Sequence, residues 1–370
     1  MSDRALVGTR KGLFTLNRGS SGWEIAKVDF LATQVTYAIA DPRDGTLYAG
    51  IKHEHFGPKM HRSDDRGQTW KEIATPVYPE KPEGYVEAAP MEGTPAPWKL
   101  MQIWSVAPGG PGQAGLVWTG TIPGGLFVSR DRGDSWDMVR TLWDLPERQK
   151  WFGGGADQPG IHSICVDPRD SSRVTLGVSC GGVWATEDCG ETWKCRADGM
   201  WANYLPPEMK GDPNLQDPHC VAQSPSNPDV MWAQHHNAVF KTTDGGARWE
   251  EIMAVQPSNF GFPVAVHPRD PDTAWTVPAT KDECRLPVDG KVVVARTRNG
   301  GRSFDVLRNG LPQDHAYDLV YRHCLDVNSS GDRLMMGSTT GSLWATEDQG
   351  DRWTCISSNL PPIYSVRFAD

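Results

Sequence analysis

Nowhere in its 370 residues does the chain approach a run of 18 apolar side chains, so the sequence supplies no membrane-spanning helix and no membrane partner is expected. The N-terminus, MSDRALVGTRKGLFTL, carries charges where a secretory leader needs an apolar stretch, which leads to the expectation of a cytoplasmic protein. Basic blocks are missing as well. A formal net charge of −9 argues against binding to a phosphate backbone, and no nucleic-acid partner is expected. The eight cysteines (165, 180, 189, 195, 220, 284, 324 and 355) lack paired zinc spacing. Cys189 and Cys195 flank a hairpin turn, so reduced thiols are expected. Nor is there a linker. Length alone suggests two or three domains, but a repeat of roughly 50 residues overrides that prior.

What the sequence has is one short pattern, repeated. Thr186 to Trp193 reads TEDCGETW, and variants return at Ser63 to Trp70, Ser129 to Trp136, Thr242 to Trp249, Thr297 to Phe304 and Thr346 to Trp353. The order is hydroxyl, any, Asp, any, Gly, any, polar, aromatic. The hydroxyl and carboxylate accept hydrogen bonds from turn N–H groups, and Gly takes a positive φ. The aromatic ring then packs between neighbouring sheets. Asn299 replaces Asp in the fifth copy and keeps an acceptor oxygen; Arg248 and Arg352 replace the small polar residue. Around each copy the chain reads as four short strands, clearest from Ile161 as IHSICVDPRD, VTLGVSCGG, VWATEDCGETW and KCRA.

Residues 4–28 form an incomplete unit with a degraded box at Asn17 to Trp23 and no innermost strand. The end of the chain, LPPIYSVRFAD, reads as that missing strand. The predicted fold is therefore all-β: a single seven-bladed β-propeller over 1–370, its split blade built from 4–28 and 361–370. Long connections at about 74–99, 140–160, 196–218 and 278–291 gather on one face, here the top, and build pockets there.

The repeated motif resembles the Asp-box, or BNR, repeat of sialidases, xyloglucan-cleaving glycosidases and sortilin-type receptors, over nearly the whole chain. That resemblance implies the architecture and leaves the activity open. Sialidases of this kind have an Arg-Ile-Pro segment near the start, where this chain reads TRKGLFTL, and six blades, so sialidase activity is not expected. Xyloglucan-cleaving relatives place a carboxylate pair in a cleft between two propellers. Single-propeller bacterial proteins labelled glycosyl hydrolase or BNR-repeat protein match the pattern best.

The carboxylates Asp65, Asp131, Asp188, Asp244 and Asp348 are read as turn-formers on the underside. Aligning first strands on their turns places Thr36, Gln102, His162, His219, Phe262, Tyr321 and Ser365 at one height near the channel mouth. The following turns add His235, His236 and Asn237, and also His53, Glu54 and His55; Arg322 and His323 follow Tyr321. Two chemistries fit. In one, His162, His219, His235 and His236 hold one divalent metal (Zn, Mn or Ni), with Gln102 or Glu54 adding an oxygen. In the other, catalysis is metal-free: a histidine such as His162, His219 or His323 acts as base, and Arg10, Arg285 or Arg322 clamps an anionic substrate. The third reading is that these histidines are hydrogen-bonded blade residues without chemistry. Gln102, Trp151 and Asn237 complete the expected substrate contacts. Lys281, Asp282, Glu283 and Arg285 read either as pocket lining or as a solvated loop. The expected function is a hydrolase or lyase for a polar, sugar-like or carboxylate-bearing small molecule. The alternative is a non-catalytic interaction or assembly propeller.

Overall fold

The computed structural model describes residues 3–86, 96–154 and 156–369; residues 87–95 of the first long connection and Gly155 of the second lie outside them. Seven four-stranded antiparallel sheets make up the molecule. Short β-branched and aromatic runs such as VTLGVS (Val174–Ser179) are buried along their full length, because a blade packs on each side of its own sheet. The innermost strands are Gln34–Ala40, Gln102–Pro108, Gly160–Val166, Pro218–Gln223, Gly261–His267, Leu325–Val327 and Ile363–Phe368. Each touches the next, and the last touches the first. We number the first six blades in that order.

The closing blade has the order Ile363–Phe368, Arg4–Thr9, Gly12–Gly19, Gly22–Asp29. Val7 pairs with Val366 across the seam, and Ile363 and Val366 are fully buried. The seven-bladed, strand-closed ring expected from the sequence is thus what forms, and it removes the free inner edges an open sheet would present. One local expectation fails. Residues 17–23 are not a degraded copy of the repeated turn but a tight hairpin in which Gly19 pairs with Gly22. Among the described residues no helix is long and apolar enough to cross a membrane.

The repeated turn works as its residue types dictate. The Thr186 hydroxyl accepts from Gly190 N–H (2.9 Å) and donates to Asp188 Oδ1 (2.7 Å), while Asp188 also accepts from Thr192 N–H and its hydroxyl. Two consecutive residues, Cys189 and Gly190, take left-handed φ values of 60° and 92°. Asn299 reproduces the turn by accepting from Ser303 N–H. The closing indole reaches the neighbouring blade, as when Trp249 Nε1 donates to Arg196 O. Hydrogen bonds from Thr186 and Thr192 hold the Asp188 carboxyl down at about 2. Its stabilising contribution is therefore fully present above its ordinary value near 3.8 and lost as pH falls through about 2. An Asp188→Asn protein is expected to fold and to melt earlier than wild type at neutral pH, with the gap closing between about pH 4 and 2. Thermal melts across that range check it; a gap that does not depend on pH would refute the assignment.

Candidate functional site

The site is built on a shared irregularity of the inner strands. In six blades the ladder between an inner strand and its neighbour slips near one end, leaving an extra residue: Thr36, Trp104, His162, His219, Phe262 and Tyr364. Such bulges re-aim side chains. This corrects two positions of the sequence alignment, since Trp104 rather than Gln102 and Tyr364 rather than Ser365 occupy the bulge. Tyr321 is not in a strand at all; blade 6 turns there, with Cys324 N–H on Tyr321 O, and its inner strand starts only at Leu325.

Several bulged side chains stitch one blade to the next. Thr36 Oγ1 donates to Ile103 O (2.8 Å), His162 Nε2 to Pro218 O (2.7 Å) and His219 Nδ1 to Gly261 O (2.6 Å). The two histidines differ in what their second nitrogen meets. His162 Nδ1 lies 2.9 Å from the Ser163 hydroxyl. His219 Nε2 lies 3.3 Å from Asp217 Oδ2, which is also 3.5 Å from His236 Nδ1. On its far side, His236 Nε2 is 3.3 Å from Asp282 Oδ2, in the 278–291 insertion.

Asp217 is buried and its other oxygen is committed, accepting from Cys180 N–H (3.0 Å) and the Ser179 hydroxyl (3.2 Å). Gly154 fits closely over this pair: a Cβ there would sit 2.6 Å from Cys180 Sγ and 3.5 Å from Asp217 Oδ2. Burial acts to raise the Asp217 carboxyl, but His219 and His236 hold it well below the usual range. Burial lowers His219 despite Asp217. For His236 burial also acts to lower, yet Asp217 and Asp282 together raise it.

Two cavities lie along the channel. The upper, about 200 Å³, is lined by Gln102, Trp104, Phe262, Arg285, Tyr321 and Tyr364 among others, with no carboxylate among the described residues. The lower is about 660 Å³ and was not anticipated from the sequence. Arg322 and His323 line both. Arg322 Nε donates to His219 O (2.7 Å), with its guanidinium 4.5 Å from the Trp104 ring centre and 5.7 Å from that of Phe262. His323 Nε2 donates to His162 O (2.8 Å). Arg285 approaches Phe262 at 5.7 Å as well.

The remaining candidates disperse. His235 Nε2 accepts the Asp217 N–H (3.0 Å), and burial pushes its pKa down to about 3, so it anchors a neighbour instead of joining the cluster. Asn237 accepts from Asn203 N–H and pins the third long connection. Trp151 is core, 3% exposed and packed edge-on to Trp184. Arg10 is exposed, its N–H on Pro362 O, and only its charge reaches Tyr364. His53 and His55 gather with Phe56 in an exposed turn outside either cavity. Asp217 was missed, although its spacing two residues before His219 was a usable signal.

No known family model matches the chain. Over 79 residues it is 34% identical to the oligoxyloglucan-reducing end-specific xyloglucanase of Emericella nidulans, a stretch covering 21% of this chain and 9% of that enzyme. Over 152 residues it is 27% identical to a xyloglucanase of a Paenibacillus species, covering 37% and 14%. The chain thus spans a small part of the curated relatives it matches. Among solved structures, the GH74 xyloglucanase of Xanthomonas campestris superposes with a TM-score of 0.64 at 16% identity, over 96% of this chain and 53% of that one. YCF48 of Cyanidioschyzon merolae gives 0.54 at 13% identity, over 89% and 87%. These likenesses establish the propeller fold.

Proposed function

We propose that the chain is a carbohydrate-active enzyme whose upper cavity takes a sugar bearing a carboxylate. One observation carries the reading: two guanidinium groups, Arg285 and Arg322, flank the Phe262 ring in a cavity that has no acidic lining among the described residues, and among those residues neither makes an ion pair. Planar cationic forks match a carboxylate, and the partly exposed Tyr321 and Tyr364 rings in the cavity wall offer surface for a pyranose. The sugar class is supported by the two xyloglucanases with matching segments.

Glycosidases of the two-carboxylate kind need both acids beside the scissile bond. Proton transfer here falls instead to the proton-carrying side chains that line the cavity, Tyr321, His323 and Tyr364; Asp217, His219 and His236 lie behind Phe262, with His219 stacked on that ring at 4.6 Å. Two outcomes are open to such a site. In hydrolysis, water adds across the glycosidic bond. In elimination, the proton α to the carboxylate leaves, its electron pair forms C=C, the C–O bond breaks and the departing oxygen takes a proton.

The test compares uronate-containing oligosaccharides with neutral xyloglucan fragments. New reducing ends report either reaction, and ultraviolet absorbance of the conjugated C=C reports elimination alone. Arg285→Ala is expected to lower kcat/KM on the uronate about 10- to 100-fold, as loss of a charge-assisted contact of about 1.5–3 kcal/mol implies. Equal preference for neutral sugar would overturn the substrate class. Saturable uronate binding without cleavage would assign the pocket to a non-catalytic propeller.

A further inference from the structure

We infer that Asp217, His219 and His236 form a binding site for one divalent transition metal. Their ligand atoms, Asp217 Oδ2, His219 Nε2 and His236 Nδ1, lie within 4.8 Å of one another. The carboxylate oxygen is 3.3 Å and 3.5 Å from the two nitrogens. Charge-assisted N–H···O bonds are about 2.7–2.9 Å, so these separations are long for an Asp–His ion pair. They match the edge of a tetrahedron whose ligands stand about 2.1 Å from a central ion, which is about 3.4 Å.

Each residue is also held the way a ligand is held. His219 presents Nδ1 to the Gly261 carbonyl at 2.6 Å; a carbonyl only accepts, so Nδ1 carries the hydrogen. In the neutral ring Nε2 then keeps its lone pair, aimed at a carboxylate oxygen with lone pairs of its own. That arrangement is repulsive unless a cation lies between. His236 directs Nε2 at Asp282 (3.3 Å), leaving Nδ1 inward. Asp217 spends Oδ1 on Cys180 N–H and the Ser179 hydroxyl, leaving Oδ2. Outer partners of this sort fix the ring orientation and tautomer of metal-binding histidines.

Two imidazoles and a carboxylate with further positions open suit Zn²⁺, Mn²⁺ or Fe²⁺. His236 and Asp282 are the exposed side of the group, at 16% and 40% side-chain exposure, and give an entry path. The set differs from the four-histidine one expected from the sequence, because both ring nitrogens of His162 and the Nε2 of His235 are already engaged with protein atoms.

The experiment uses the full chain, purified without a polyhistidine tag and stripped with chelator. Zn²⁺, Mn²⁺ or anaerobic Fe²⁺ is then added singly, and metal per chain is measured after gel filtration. The expected result is one equivalent of at least one metal in wild type and in His162→Ala. It should fall below about one tenth in His236→Ala and Asp217→Asn, with affinity about 10- to 100-fold weaker in Asp282→Asn. Cobalt(II) substitution should give d–d absorption that His236→Ala abolishes. The site is refuted if wild type retains none of the three metals, or if His236→Ala keeps what wild type binds. No substrate enters the assay, so it stands apart from the sugar reading.

Discussion

Arg322→Ala is expected to weaken binding of carboxylate-bearing sugars by about 10- to 100-fold and to lower Tm by about 4 °C. Both effects come from one side chain with two kinds of contact. Its guanidinium lies over Trp104 and near Phe262, and its Nε donates to His219 O across the channel. A desolvated cation–π contact is worth about 2 kcal/mol, and an orphaned carbonyl adds about 1 kcal/mol or more. A total near 3 kcal/mol, spread over the unfolding entropy of 370 residues, gives that shift. Burial already lowers the Arg322 pKa, though not enough for an arginine to lose its charge at neutral pH. Arg322→Lys separates the terms: it keeps a cation and loses the fork, so it should recover part of the Tm and little of the affinity. Calorimetric titration with a uronate oligosaccharide and parallel melts read both. Unchanged affinity in Arg322→Ala would remove this residue from the anion site.

Removing residues 361–370 should abolish cooperative melting. The segment contributes fully buried Ile363 and Val366, a ladder to Arg4–Thr9 that Ala369 N–H extends by a bond to Arg4 O, and a cross-blade bond from Val366 N–H to His323 O. Arg367 adds bonds to the Tyr37 hydroxyl and His323 O. Burial of two large aliphatic side chains alone is worth about 3–6 kcal/mol, a large share of the roughly 5–15 kcal/mol that holds a typical domain together. A synthetic peptide of residues 361–370 added in trans should restore part of the transition. A truncated protein that melts like wild type would refute the closure.

The ring was legible because its determinants are local. Each repeated turn is specified by a hydroxyl, a carboxylate and a glycine within eight residues, and counting strands between turns left one unpaired at each end. The site was half legible. His219, Arg285 and Arg322 could be named from position and chemistry. Asp217 stands two residues before His219, which a local reading could have used, but the groups that orient it, Cys180 N–H and the Ser179 hydroxyl, are 37 and 38 residues away. His235 and His236 are equivalent on paper; adjacent residues of an extended chain face opposite ways, and only the packing shows that His235 meets the Asp217 N–H and His236 its carboxylate. The turn after Gln102–Pro108 closes at Gly109, whose N–H meets Leu116 O as Asp41 N–H meets Thr46 O and Asp167 N–H meets Arg173 O; a glycine does not announce itself as the equivalent of those aspartates, which is how Trp104, five residues before it, escaped notice behind Gln102. Trp151 reads the same in sequence whether its indole meets a sugar or Trp184.

The seam between Arg4–Thr9 and Ile363–Phe368 also sets a timetable for synthesis. Val7 meets Val366, so the first strand leaves the ribosome long before its partner. At 5–20 residues per second that wait is roughly 20–70 s. Throughout it, Arg4–Thr9 presents a row of N–H and C=O groups unpaired by protein, open to any extended segment nearby, including that of another nascent chain. Crowded polysomes are where exchange of the last strand between two copies would begin.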